Sequence, residues 1–175
     1  MKKIILLFLL LFNSIFSFSQ NSEKGIWKSS YSELRLKFDE NWQLITPQLD
    51  SERKTMIALT DSKDHSSITV KITDDVPKEQ LSDEAYNDAV KEQMLKADAE
   101  NKFLVQEVID FKEKKFTVQI FLMKTKFGDF ALTCYTYRDG RKVKSIQLAY
   151  PRSLVSNPGK ELPEKIKKVL SDMNI

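Results

Sequence analysis

The densest group of side chains able to hold a metal is Asp61-Ser62-Lys63-Asp64-His65, with Asp74-Asp75 a short way on. Carboxylates converging from two ends of a hairpin suit a hard cation. The stretch lacks the ligand spacing of a dedicated calcium loop, however. Asp and Ser also favour turns through local side-chain hydrogen bonds, so a solvated turn is the plainer reading. Cys134 and His65 are the only thiol and the only imidazole. As nucleophile and base they would have to meet from different strand blocks. Cys134 alternates with Leu132, which fits a small buried hydrophobe. No serine sits in a GxSxG elbow, and the 4 Gly form neither a GxGxxG loop nor a phosphate loop. A single Cys excludes an intramolecular disulfide, and 1 Cys with 1 His excludes Cys/His zinc ribbons. No cofactor is expected, and the residue inventory favours a protein that is not an enzyme.

Charge is distributed more informatively. Residues 73–100 hold nine acids and three bases, a net of −6. Residues 110–152 hold ten bases and four acids, a net of +6. The basic set gathers in Lys112, Lys114 and Lys115 and again in Arg138, Arg141, Lys142 and Lys144, both at predicted hairpin tips. Charged loops are often merely solvated. The sharper expectation is that Arg138, Arg141, Lys142 and Lys144 form a docking patch for an acidic protein partner or an anionic membrane surface. A second cluster, Tyr135, Tyr137 and Tyr150 with Phe121, Phe127 and Phe130, would either be core or line a cavity for a small apolar ligand.

The elements that must position these residues begin after a targeting segment. Lys2 and Lys3, the apolar run Ile4 to Phe12, and Ser17-Phe18-Ser19 before Gln20 read as a cleaved secretory signal over residues 1–19. No Cys lies near the cleavage point, so a lipoprotein anchor is not expected. Without that segment 156 residues remain, with 26 basic against 25 acidic side chains, a net of +1. The net charge of +3 for the whole chain is therefore partly a targeting signal, and nucleic acid is not an expected partner. The mature chain is expected to be soluble in the periplasm or outside the cell. Residues 20–30 read as a short leader and 31–175 as one α+β domain.

Within that domain, Tyr31–Phe38 alternates Leu34, Leu36 and Phe38 with polar residues, a period of two that predicts a strand. Trp42–Ile45, Met56–Thr60 and Ser67–Thr73 continue the pattern, giving two successive hairpins. Ser82 is placed to cap a helix from Asp83 to about Ala99, with Leu81 and Tyr86 as a hydrophobic staple. Tyr86, Ala89, Val90, Met94 and Ala97 form its expected stripe. Phe103–Phe111, Phe116–Phe127, Phe130–Tyr137 and Lys142–Tyr150 form a meander, with Gly128-Asp129 and Asp139-Gly140 as two-residue loops. Phe121, Met123 and Phe127 then share a face with Phe130, Leu132 and Cys134. Val118, Ile120 and Leu122 share the other with Tyr135, Tyr137, Ile146 and Leu148. Two apolar faces need two covers, so helices on both faces of an antiparallel β-sheet are expected. Leu162, Ile166, Val169, Leu170 and Met173 make the stripe of a closing helix, with Pro163 in its first turn.

This order resembles the PsbP-like family. The resemblance rests on Leu34-Arg35-Leu36-Lys37-Phe38 with Trp42, the Ser67–Thr73 strand leading to the Ser82 helix, the Phe116–Tyr150 meander and the Leu162–Met173 helix. It spans about residues 30–175. It implies an αβα sandwich and a non-enzymatic binding or assembly role, and it transfers no site residue. The function expected is an exported module acting through protein contacts; the alternative is a carrier of a small apolar ligand.

Overall fold

Strand-forming alternation produces most of this molecule. The computed structural model describes residues 25–45, 54–74 and 82–175. The expected signal segment and Leu81 lie outside these residues. Among the described residues nine strands and two α-helices run in the order β1 (Ile26–Lys28), β2 (Arg35–Lys37), β3 (Trp42–Ile45), β4 (Lys54–Asp61), β5 (Ser67–Thr73), α1 (Asp83–Ala97), β6 (Lys102–Phe111), β7 (Lys114–Thr125), β8 (Gly128–Asp139), β9 (Lys142–Pro151) and α2 (Glu164–Asp172). Seven strands form one antiparallel sheet in the order β3-β4-β5-β9-β8-β7-β6. No helix of the described residues is long and apolar enough to cross a membrane.

The start of the chain departs from expectation. Ile26–Lys28, read from sequence as leader, pairs with β2 in a separate two-stranded sheet. Only Arg35–Lys37 of the predicted Tyr31–Phe38 strand is strand, and β3 pairs with β4, so the first predicted hairpin does not form. The reason is local. The Asp39 carboxylate accepts the Asn41 amide at 3.1 Å, and the Asp39 carbonyl accepts the Trp42 amide at 3.1 Å. This turn carries the chain from one sheet into the other. Gly25 closes the same end of the small sheet from the β1 side, where its carbonyl accepts the Phe38 amide at 2.8 Å. Its φ is +84°, and a Cβ there would lie 2.6 Å from the Phe38 carbonyl oxygen. Only glycine fits such an approach.

The meander is where patterning succeeds, although both loops move. Thr125 pairs with Gly128, so the β7–β8 loop is Lys126-Phe127 rather than Gly128-Asp129. Asp139 pairs with Lys142, so the β8–β9 loop is Gly140-Arg141 rather than Asp139-Gly140. Each correction changes the pairing register by an even number of residues. Side chains alternate with period two, so every strand residue keeps its predicted face. Phe127 is now at a tip, where its ring stacks on His65 at 3.9 Å.

Two buried clusters follow. Trp27, Leu36, Ile57, Ile68, Val118, Ile120, Ile146, Leu148 and Tyr150 pack with Ile166, Val169 and Leu170 of α2. Met94 of α1 packs with Phe121, Leu132 and Cys134. Each fully buried aliphatic side chain contributes roughly 1.5–3 kcal/mol. The helices differ in how well they supply such residues. α2 buries a clean i, i+3, i+4 stripe. α1 buries only Asn87 and Met94, with Tyr86, Ala89 and Val90 half-buried and Ala97 exposed. It ends at Ala97, earlier than expected. Its start is as expected: Ser82 Oγ accepts the Ala85 amide at 3.0 Å, and Asp83 and Glu84 occupy the first turn.

Candidate functional site

At one end of the main sheet, the β1–β2 loop leans over the ends of β5, β7, β8 and β9. An open cleft of about 630 Å³ lies between them. Ser30, Tyr31, Ser32, Glu33 and Leu34 form its roof. Ile72, Lys114, Tyr137, Asp139, Lys142 and Lys144 form its floor and sides. Strand register brings these together. Tyr137 pairs with Lys144, Asp139 with Lys142, and Ile72 with Lys144 on its other side. Lys114 opens β7, one strand beyond β8.

The cleft crowds positive charge. The Lys144 ammonium is brought down to about 8, first by burial and then by the neighbouring Lys114 and Lys142 ammoniums, while Glu33 pulls the other way. Lys114 Nζ donates to the Ile175 carbonyl at 2.9 Å and lies 5.4 Å from the centre of the Tyr137 ring. Lys142 Nζ lies 3.2 Å from Asp74 Oδ1. Tyr31 stands at the rim, 56% exposed.

The structure divides the predicted basic patch. Arg138 lies on the opposite sheet face from Lys142 and Lys144, because it pairs with Val143, an odd-numbered position of β9. Its side chain is only 8% exposed. Its Nε lies 3.0 Å from Asp83 Oδ1, and its guanidinium sits 5.5 Å from the Tyr86 ring centre. Arg138 thus holds α1 to the sheet. Arg141 is exposed in the β8–β9 loop and does not line the cleft. Lys142 and Lys144 do line it. Lys114 was visible in sequence only as part of a separate hairpin tip. The roofing residues Tyr31 and Glu33 had no local signal at all, since their position depends on the β1–β2 pairing.

The carboxylates of the Asp61–His65 turn are engaged within the molecule. Asp61 and Asp64 both accept from Lys165 Nζ of α2, at 2.8 and 2.5 Å. Asp61 also accepts the Lys63 amide, and Asp64 the Ser66 amide. Burial opposes ionisation of Asp64, but Lys165 and Ser66 outweigh it and hold the carboxyl below its ordinary value. Asp74 lies at the far end of β5 with Lys142, and Asp75 falls outside the described residues. Among the described residues no group of three or more His, Cys, Asp or Glu side chains is placed to hold a metal ion. Cys134 is buried, its thiol pushed up to about 12 by that burial, whereas His65 stacks on Phe127 at the hairpin tips. A thiol with so high a pKa is a poor nucleophile. Of the aromatic cluster, Phe121, Phe130, Tyr135 and Tyr150 are buried core, and the Tyr150 hydroxyl donates to the Pro158 and Glu161 carbonyls at 3.3 and 3.2 Å.

No protein-family model matches the sequence, and no curated protein matches it. Solved structures do share its fold. A cyanobacterial PsbP from Synechocystis sp. PCC 6803 superposes with a TM-score of 0.59 at 9% identity, covering 92% of this chain and 98% of that one. The Saccharomyces cerevisiae Ran-binding protein Mog1p gives a TM-score of 0.50 at 12% identity, covering 87% and 96%. A Bacteroides thetaiotaomicron structure gives 0.51 at 8% identity over 87% of this chain. The chain spans about half of that protein's length, 48%. The chain therefore has the PsbP-like/Mog1 fold, an antiparallel β-sheet with two helices.

Proposed function

We propose that the chain is an exported, non-enzymatic binding or assembly module that acts through protein contacts. The observation that carries this reading is the shared fold, one example of which is a protein that binds another protein, Ran. The resemblance to the PsbP-like family points the same way. We read the layers as an αβα sandwich, with α1 on the face of Cys134 and α2 on the face of Tyr135. The two separate clusters support this. Export rests on Lys2, Lys3, Ile4 to Phe12 and Ser17-Phe18-Ser19. N-terminal sequencing of the secreted or periplasmic chain should begin at Gln20; a start at Met1 would overturn export.

The partner contact is assigned to the basic end of the molecule, with Arg141, Lys142 and Lys144 its charged residues and Arg138 its buttress. An acidic protein surface is the preferred partner; an anionic membrane surface offers the same charge. Affinity capture from an envelope extract of the source cells tests the module. A specific protein should be retained at low salt and released as salt rises, and charge reversal at Arg141, Lys142 and Lys144 should weaken retention. Retention of nothing specific would refute the reading. Carriage of a small apolar ligand gains no support, because Phe121, Phe130, Tyr135 and Tyr150 pack as core.

A further inference from the structure

We propose that the cleft between the β1–β2 loop and the ends of β7, β8 and β9 is the specific recognition site for an acidic peptide segment of a partner protein. Its carboxylates would lie on Lys144, Lys114 and Lys142, and an adjacent apolar side chain would lie against Tyr31. This rests on the module reading and names the segment that module would recognise.

Three features carry the inference. The first is convergence. Three ammonium groups from two non-adjacent strands face one concavity, with the Ser30 and Ser32 residues opposite. Among the described residues Lys144 forms no ion pair. Glu33 across the cleft raises its proton affinity less than burial and its lysine neighbours lower it. Such crowding is unfavourable in the empty cleft and is relieved when a carboxylate enters. The second is shape. The cleft is open between a loop and a sheet end, and the partly buried Tyr137 ring lies beside the charges, with Leu34 and Ile72 buried behind it. A free inorganic anion would use the lysines and leave that ring and Tyr31 bare. A peptide uses both. The third is Tyr31, an exposed aromatic at the rim. Aromatic side chains with a polar tip are enriched where proteins dock.

The groups that face Lys144 are Lys142 beside it on β9, Tyr137 and Asp139 on β8, Lys114 on β7, and Tyr31 and Glu33 on the β1–β2 loop. Asp139 and Glu33 partly offset the lysines, so the site should select a segment with several carboxylates over a single one. Lys142 is held by Asp74 and Lys114 by the Ile175 carbonyl, which leaves Lys144 as the principal contact.

The test is a titration of the whole purified protein, followed by NMR and calorimetry. The probes are a short synthetic glutamate-rich peptide with one phenylalanine, its glutamine counterpart, inorganic phosphate, and vesicles containing phosphatidylglycerol. The glutamate peptide should bind saturably and shift resonances of Tyr31, Tyr137 and Lys144. Lys144→Met should weaken it by about tenfold, the loss of one charge-assisted contact. Lys114→Met should weaken it too, and Arg141→Glu, outside the cleft, should leave those shifts in place. Circular dichroism of each variant reports whether the fold is kept. Absence of saturable binding overturns the proposal, as does equal binding of the glutamine peptide or an unchanged affinity in Lys144→Met. Phosphate that saturates the same resonances with equal affinity overturns it in favour of a small-anion site. Vesicle binding that depends on Lys144 without peptide binding overturns it in favour of a membrane contact. Failure of affinity capture bears on the module; failure of this titration bears on the cleft alone.

Discussion

Lys144 is a cation held where it is disfavoured. Its folded-state pKa of about 8 lies below the ordinary value of 10.5. Between those values the unfolded chain binds more protons than the folded one, so its contribution to stability rises with pH through that window. Below pH 8 the folded state bears the full cost of the crowded charge. Lys144→Met should therefore be more stable than wild type at pH 7, by on the order of 1 kcal/mol once solvent screening is allowed for. That advantage should shrink as pH rises from 8 to 10.5. Paired denaturant melts across this range measure it; a constant difference would show that Lys144 is not the strained group. Neither the crowding nor its sign was legible in the sequence. Lys142 and Lys144 stood out there as a basic run, but Lys114 lies about thirty residues earlier. Arg138, which belongs to the same run, turns out to hold Asp83 on the other face.

At the scale of elements, alternation gave the strand faces and missed the turns. The β6–β7 turn shows why. Lys112 and Glu113 have φ of 52° and 62°, the left-handed pair that a tight hairpin requires, although neither is the usual Asn or Gly. Lys112 is retained for another purpose: its Nζ donates to the Ser171 carbonyl at 2.5 Å, near the end of α2, where a cation is favoured. Glu113 is a non-glycine residue in the left-handed region, so Glu113→Gly should remove backbone strain and stabilise the protein by about 1 kcal/mol. A rise in thermal midpoint checks this. The Asp139-Gly140 dipeptide misled by one position for a related reason. Gly140 does take the left-handed conformation, φ 57°, but as the first loop residue rather than the second. A dipeptide signals that a turn is present without fixing which pair of residues closes it.

At the scale of the whole molecule, long-range ion pairs join parts that the chain order separates. Lys165 of α2 reaches Asp61 and Asp64 at the β4–β5 tip and lies 5.6 Å from the Trp42 ring centre. Asp61 is only 5% exposed at its side chain. Lys165→Met would leave that carboxylate without its cation, at a cost of about 2 kcal/mol. Complete burial of both partners would raise this to roughly 3–5 kcal/mol. The denaturant midpoint should fall accordingly, and Asp61→Asn in the same background should recover part of the loss. The acidic and basic halves of the chain also meet. Asp83 with Arg138 and Asp74 with Lys142 neutralise part of the meander's excess charge within the molecule. Among the described residues Lys114 and Lys144 form no ion pair.

By itself the sequence determined the class of fold, the faces of the meander strands, the capped start of α1 and the buried stripe of α2. These depend on local periodicity and on hydrogen bonds between near neighbours, and a two-residue period survives an even slip in register. Tertiary structure decided the rest. It placed Ile26–Lys28 beside β2, gave Asp61 and Asp64 to Lys165, turned Arg138 inward and set Lys114 against Lys144. Each of these is a contact between residues distant in the chain or separated by a turn. Its energy depends on distance and burial, which no run of residues specifies until the sheets are assembled.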